Sequence, residues 1–123
     1  MFEQHAQGML DEQGQQKSYI HTVMQAIAQN LQGETPSIEA IAHQLTTSVR
    51  QLQRELHAQQ ASYQQLLDDV RKTLALEHLK NPHTSIYDVA FLLGFSEPSA
   101  FHRAFKRWTG ETPRQFQRRD RSS

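Results

Sequence analysis

A chain of 123 residues has room for one domain, or two very small ones, around a modest apolar core. It has no cysteine, which excludes a disulfide framework and any thiolate metal site, and no apolar run near the roughly 18 residues needed to span a bilayer. The formal net charge is zero but unevenly laid: residues 95–123 carry seven basic against three acidic side chains, residues 1–35 one against four, and local charge sets the attraction for a polyanion.

Met1–Lys17 is rich in glutamine, has a weak apolar pattern, and lacks the apolar core of a signal peptide; it reads as a linker or disordered segment. From Ser18, the stripe Tyr19, Ile20, Val23, Met24, Ile27 and Leu31 predicts a helix that stops at Gly33. Ser37 is placed to cap a second helix with Ile38, Ile41, Ala42 and Leu45 inward. Ser48 and Gln51 have capping-box spacing at the start of a third, with Leu52 and Leu56 inward, and Ser62 and Gln65 repeat that spacing at the start of a long fourth. Tyr63, Leu66, Leu67, Val70, Leu74 and Leu79 line one face of the fourth helix until Asn81-Pro82 ends it. Ser85 is placed to cap the fifth helix, Ser96 the sixth, and Thr112-Pro113 a short last one. Phe101, Phe105 and Trp108, at i, i+4 and i+7, read as core. With no strand pattern, the expected fold is all-α with about seven helices.

Two stretches repeat. SIEAIAHQLTTSVRQLQREL (37–56) and SIYDVAFLLGFSEPSAFHRAFKRWTGETPRQFQ (85–117) align at an offset of 48 through Ser37/Ser85, Ile38/Ile86, Ala42/Ala90, Leu45/Leu93 and Ser48/Ser96. One further residue then brings Leu52, Gln53, Arg54 and Leu56 onto Phe101, His102, Arg103 and Phe105. Each stretch reads as a short helix, a tight turn and a polar second helix, the pattern of a helix-turn-helix whose second helix enters a major groove. The units are expected at about 37–57 and 85–109, joined by a helix over about 62–80. At about 1.5 Å per residue that helix spans roughly 28 Å, which with the ends of the packed units suits grooves about 34 Å apart. The first turn has Thr46 where the second has Gly94, a steric cost if that turn needs a left-handed residue.

FLLGFSEPSAFHRAFKRWTGETPRQF (91–116) resembles the C-terminal signature of the AraC/XylS family of bacterial transcription regulators. SVRQLQREL (48–56) and SYQQLLDDVRKTLALEHLKN (62–81) fall where that family has its first recognition helix and its connecting helix. The resemblance runs from about Ser37 to Phe116. It implies a DNA-binding domain over 18–119, a tail at 120–123, a cytoplasmic promoter-DNA reader, contact with RNA polymerase, and no cofactor. FEQHAQGMLDE in the first 17 residues is similar to the tail of the sensor domain many members carry upstream, which makes this chain the C-terminal part of a longer effector-responsive regulator. The isolated domain is expected to be a monomer, since both reading heads lie in one chain.

With Leu52 and Leu56 inward, Arg50, Gln53 and Arg54 project from the third helix, where Arg can fork onto guanine and Gln onto adenine. On the sixth helix Ser99, His102 and Arg103 take the outward places, and by resemblance these approach bases. Ser48, Ser96, Lys106, Arg107 and Arg114 are candidates for phosphate contact. The plain alternative for each set is a solvated face. Arg118, Arg119 and Arg121 read either as added non-specific attraction or as an ordinary basic tail.

The seven histidines show no tight ligand spacing, and His78 and His83 are separated by Asn81-Pro82, so neither a metal nor a catalytic site is expected. Asp68 and Asp69 are adjacent and point about 100° apart on a helix, which suits solvent rather than paired carboxylate chemistry. The competing reading is a helical protein-interaction module. It predicts apolar anchors on the outward faces of the two second helices, where DNA reading predicts Arg, Gln, Ser and His.

Overall fold

The computed structural model describes residues 18–122, so the linker reading of Met1–Lys17 lies outside the described residues. All regular structure among them is helical: α1 (18–30), α2 (Ile38–Gln44), α3 (Val49–Ala58), α4 (Tyr63–Leu79), α5 (Ile86–Leu92), α6 (Pro98–Thr109) and α7 (Pro113–Ser122). The helices start where short hydroxyl side chains take up otherwise orphaned amides. Ser37, Ser48, Ser62 and Ser85 each accept from the backbone N–H three residues on.

Two of the expected starts differ in detail. Gln51 does not close a box with Ser48; its side chain donates to Glu55 Oε1 instead, so α3 has only the serine half of the cap. Ser96 does not cap α6. Proline at the first helical position has no amide to satisfy and forces the residue before it into extended backbone. Glu97 is that residue, at φ −152° and ψ 151°, and it occupies the cap position without a side-chain hydrogen bond.

The apolar faces close into two clusters. Val23, Ile27, Leu31, Ile41, Leu52 and Leu56 bury against Leu66, Leu67 and Val70 of the first half of α4. Phe101, Phe105, Val89, Ala90 and Leu93 bury against Ala75 and Leu79 of its second half. Leu74 packs against both clusters. Trp108 is half-buried on the second, with ring centroids 6.3 Å from Phe95 and 6.5 Å from Phe105. At about 1.5 Å per residue the 17 residues of α4 span roughly 25 Å, and this one helix serves as the shared wall of both cores.

Arg71 sits where the clusters meet and is the one buried charged residue among the described ones. Its Nε donates to Leu93 O at 2.8 Å, and its Nη2 to Thr35 Oγ1 at 2.6 Å and Gly94 O at 3.3 Å. Its guanidinium lies 4.1 Å from the centre of the Phe95 ring. Burial lowers its pKa, and the nearby charge of Asp68 opposes that shift. The residue ties the turn of the second unit to the α1–α2 connection of the first.

Candidate nucleic-acid interface

The repeat seen in the sequence is reproduced bond for bond. In the first turn Leu45 N donates to Ile41 O at 3.0 Å, Thr46 N to His43 O at 3.1 Å, and Thr47 N to Ala42 O at 2.9 Å. In the second, Leu93 N donates to Val89 O, Gly94 N to Phe91 O and Phe95 N to Ala90 O, each at 3.0 Å. Leu45 and Leu93 end their helices at ψ 6°, and Thr46 and Gly94 follow at φ 58° and 83°. The first turn therefore does place a β-branched residue in the left-handed region.

These turns aim α3 and α6. Leu52 and Leu56 are buried on one, Phe101 and Phe105 on the other, so the opposite faces are presented outward. Arg50, Gln53 and Arg54 are exposed on α3, as are Ser99 and Arg103 on α6. His102 is half-buried, edge-on to Phe101 with centroids 6.5 Å apart. Lys106, Arg107 and Arg114 are exposed, as are Ser48 and Ser96. Ser48 Oγ is already engaged with Gln51 N at 3.0 Å.

Arg50, Gln53 and Arg54 are brought together with His57, which the sequence reading missed, along a groove of about 460 Å³. Its floor is Ile38, Leu56 and Tyr63. Tyr63 Oη donates to Pro36 O at 2.7 Å, and burial pushes this hydroxyl up to about 12, with Arg71 opposing and Glu39 adding to the shift. The signal for His57 was present in the repeat. Positions 50, 53, 54 and 57 form an i, i+3, i+4, i+7 stripe, and 49 residues on the same stripe reads Ser99, His102, Arg103 and Lys106.

The large hydrophobic side chains exposed among the described residues are Tyr87, Phe91 and Leu92, all on α5. The outward faces of α3 and α6 show arginine, glutamine, serine and histidine, the pattern expected of a DNA reader. Among the described residues no helix is long and apolar enough to cross a membrane, and no group of three or more His, Asp or Glu could hold a metal ion.

Two like units, each presenting a polar second helix from a tight turn and joined by one helix, define a tandem helix-turn-helix domain. Residues 41–119 match the family described as a helix-turn-helix domain. The chain belongs to the AraC/XylS family of DNA-binding transcription regulators. It is 46% identical over 84 residues to the ornithine utilization regulator of Pseudomonas aeruginosa, covering 68% of this chain and 25% of that protein. Among solved structures, a DNA-binding transcriptional dual regulator from Escherichia coli K-12 superposes at a TM-score of 0.80 with 28% identity, covering 85% of this chain and 94% of that one. The DNA-binding domain of AdpA, a global transcriptional factor solved with a target DNA, superposes at 0.69 with 25% identity, covering 84% and 93%. The chain spans about a quarter of the length of the curated relatives it matches.

Proposed function

We propose that this chain reads two adjacent major-groove segments of promoter DNA, one with each recognition helix, binding as a monomer. The observation that carries the reading is the pair of matched, outward stripes on α3 and α6, each backed by its own core. Arg50, Gln53 and Arg54 on α3, and Ser99, His102 and Arg103 on α6, take the base edges. Ser48, Ser96, Lys106, Arg107 and Arg114 take the backbone, which fixes register without reading sequence. The relatives, of which this chain spans about a quarter, support a role as the DNA-reading part of a longer regulator, which we read as effector-responsive and cytoplasmic. The exposed Phe91 and Leu92 of α5 support a protein partner such as RNA polymerase.

The test separates readers from anchors. Arg54→Ala and Arg103→Ala are each expected to cost roughly 1–3 kcal/mol on the preferred site and to relax preference at one or two base pairs. Arg114→Ala is expected to weaken specific and random duplexes alike and to lower the magnitude of the salt slope by about one. Binding of the three variants to selected and random duplexes over a salt series decides the matter. Equal losses on both duplexes for all three variants would remove the assignment of readers.

A further inference from the structure

The two apolar clusters share α4, but apolar burial is non-directional, so it fixes how far each unit stands from that helix better than how far each is rolled about it. Directional bonds between the units run through the α1–α2 connection (31–37). Gly33 N donates to Phe91 O at 3.0 Å. The Thr35 hydroxyl donates to Gly94 O at 3.1 Å and accepts from Arg71 Nη2 at 2.6 Å. Pro36 O accepts from Tyr63 Oη at the start of α4. Gly33, Thr35 and Pro36 thus tie the first unit's approach to α5, to the second turn, and to the start and middle of α4.

The packing is as close as the bonding. A Cβ on Gly33 would lie 2.9 Å from two carbons of the Phe91 ring, so that ring lies directly over the backbone of the connection. A Cβ on Gly94 would meet the Leu31 side chain at 3.1 Å, and Leu31 belongs to the first cluster. Thr35 is the pivot of this joint. The buried Arg71 guanidinium is held to the second turn through Leu93 O and Gly94 O, and its planar fork cannot follow Thr35 if the units roll. At the ~10 Å spacing of packed helices, a roll of about 10° displaces the joint by roughly 1.7 Å, enough to break its bonds.

We propose that the α1–α2 connection is a brace that fixes the angle between α3 and α6, with Thr35 and Arg71 as its positioning residues, and that the brace makes binding selective for the spacing of two half-sites. This rests on the DNA-reading role proposed above. Each base pair added between half-sites moves the second by about 3.4 Å and turns it by about 35°. α4 sets the distance between the heads and the brace sets their relative roll. A duplex with one base pair more or less between its half-sites therefore engages one head only.

Two measurements test this, one with DNA and one without. Fluorescence anisotropy of the whole chain is read on a selected duplex, on that duplex with one base pair added or removed between half-sites, and on each half-site alone. Wild type is expected to lose about tenfold or more on the altered spacings, and Thr35→Val/Arg71→Lys only about two- to threefold, with wild-type affinity for each half-site alone. Thr35→Ser keeps the hydroxyl and is expected to follow the wild type. An unchanged spacing penalty in the double variant, whatever its melting temperature, overturns the selectivity, because the bonds then serve stability alone. An equal loss on an isolated half-site also overturns it, because the two residues then act within one head. Without DNA, the lack of cysteine lets spin labels be placed through Ala58→Cys on α3 and Arg107→Cys on α6 alone. The distance distribution between them is expected to be narrow in the wild-type background and broadened by Thr35→Val/Arg71→Lys. Equal widths overturn the brace. Broadening with no wild-type binding to any duplex supports the brace and overturns the DNA-reading role together with the spacing selectivity.

Discussion

Thr46 and Gly94 occupy the same place in the two turns under different constraints. A Cβ on Gly94 would lie 2.4 Å from the backbone oxygen of Glu34, so glycine there is fixed by the close passage of the α1–α2 connection as well as by its φ. Thr46 is exposed and sits in the left-handed region at the strain of a β-branched side chain. Thr46→Gly is expected to raise stability by about 0.5–1 kcal/mol, the relief of that strain exceeding the added freedom of the unfolded chain. Gly94→Ala is expected to lower stability by about 2–4 kcal/mol, through overpacking and strain together. Urea denaturation of the two variants measures both; a destabilised Thr46→Gly would contradict the strain account. Tyr63 gives a pH dependence whose sign follows from its raised pKa. The folded state holds the phenolic proton up to about pH 12 whereas the unfolded chain releases it near 10, so stability is full below pH 10 and falls as pH rises from there towards 12. Tyr63→Phe is expected to lose about 1 kcal/mol at neutral pH with the bond to Pro36 O, and to flatten that alkaline decline. Denaturation midpoints across the alkaline range check this.

At the scale of the elements, α4 is the part on which the others depend, and Arg71 is its least replaceable side chain. Arg71→Ala leaves the carbonyl of Leu93 without its donor and that of Gly94 with the Thr35 hydroxyl alone, and is expected to cost about 2–4 kcal/mol. Arg71→Lys is expected to recover only part of that, because an ammonium group lacks the planar fork that reaches three acceptors at once. Equilibrium unfolding of both variants is the check, and equal stability of Arg71→Lys and wild type would contradict it. This residue also marks where sequence reading ends. The helices, their inward faces and the serine caps were legible, because periodicity and capping are written within a few residues of each other. Arg71 was not: in the sequence it is one more cation beside an apolar stripe, and its acceptors lie 22 to 36 residues away. The start of α6 was misplaced by one residue because the serine signal at Ser96 competes with Pro98, and the proline wins by fixing the backbone of Glu97. On α3 and α6 the exposure of Arg50, Gln53, Arg54, Ser99 and Arg103 was legible from the leucines and phenylalanines that must face inward, whereas His102 is half-buried against Phe101. His57 becomes legible only through the repeat, as the counterpart of Lys106 49 residues on.

At the scale of the whole molecule, both cores close on one helix, so the two reading heads are held by a single rigid part. A monomer is therefore expected to protect two neighbouring major-groove segments on one side of the duplex, about one helical turn apart. Footprinting combined with sedimentation of the complex checks this, and a complex that forms only as a dimer on a palindrome would contradict it. The shared wall also has a bearing on how the recognised site can diversify. An added residue between Arg71 and Ala75 would advance one head by about 1.5 Å and turn it by about 100° against the other, carrying it off its face of the duplex. Two screws of different pitch, protein and DNA, are meshed through α4, and no single insertion or deletion keeps them in phase. Variation in this chain is thereby channelled into the letters that α3 and α6 read, while the distance between the two words stays locked.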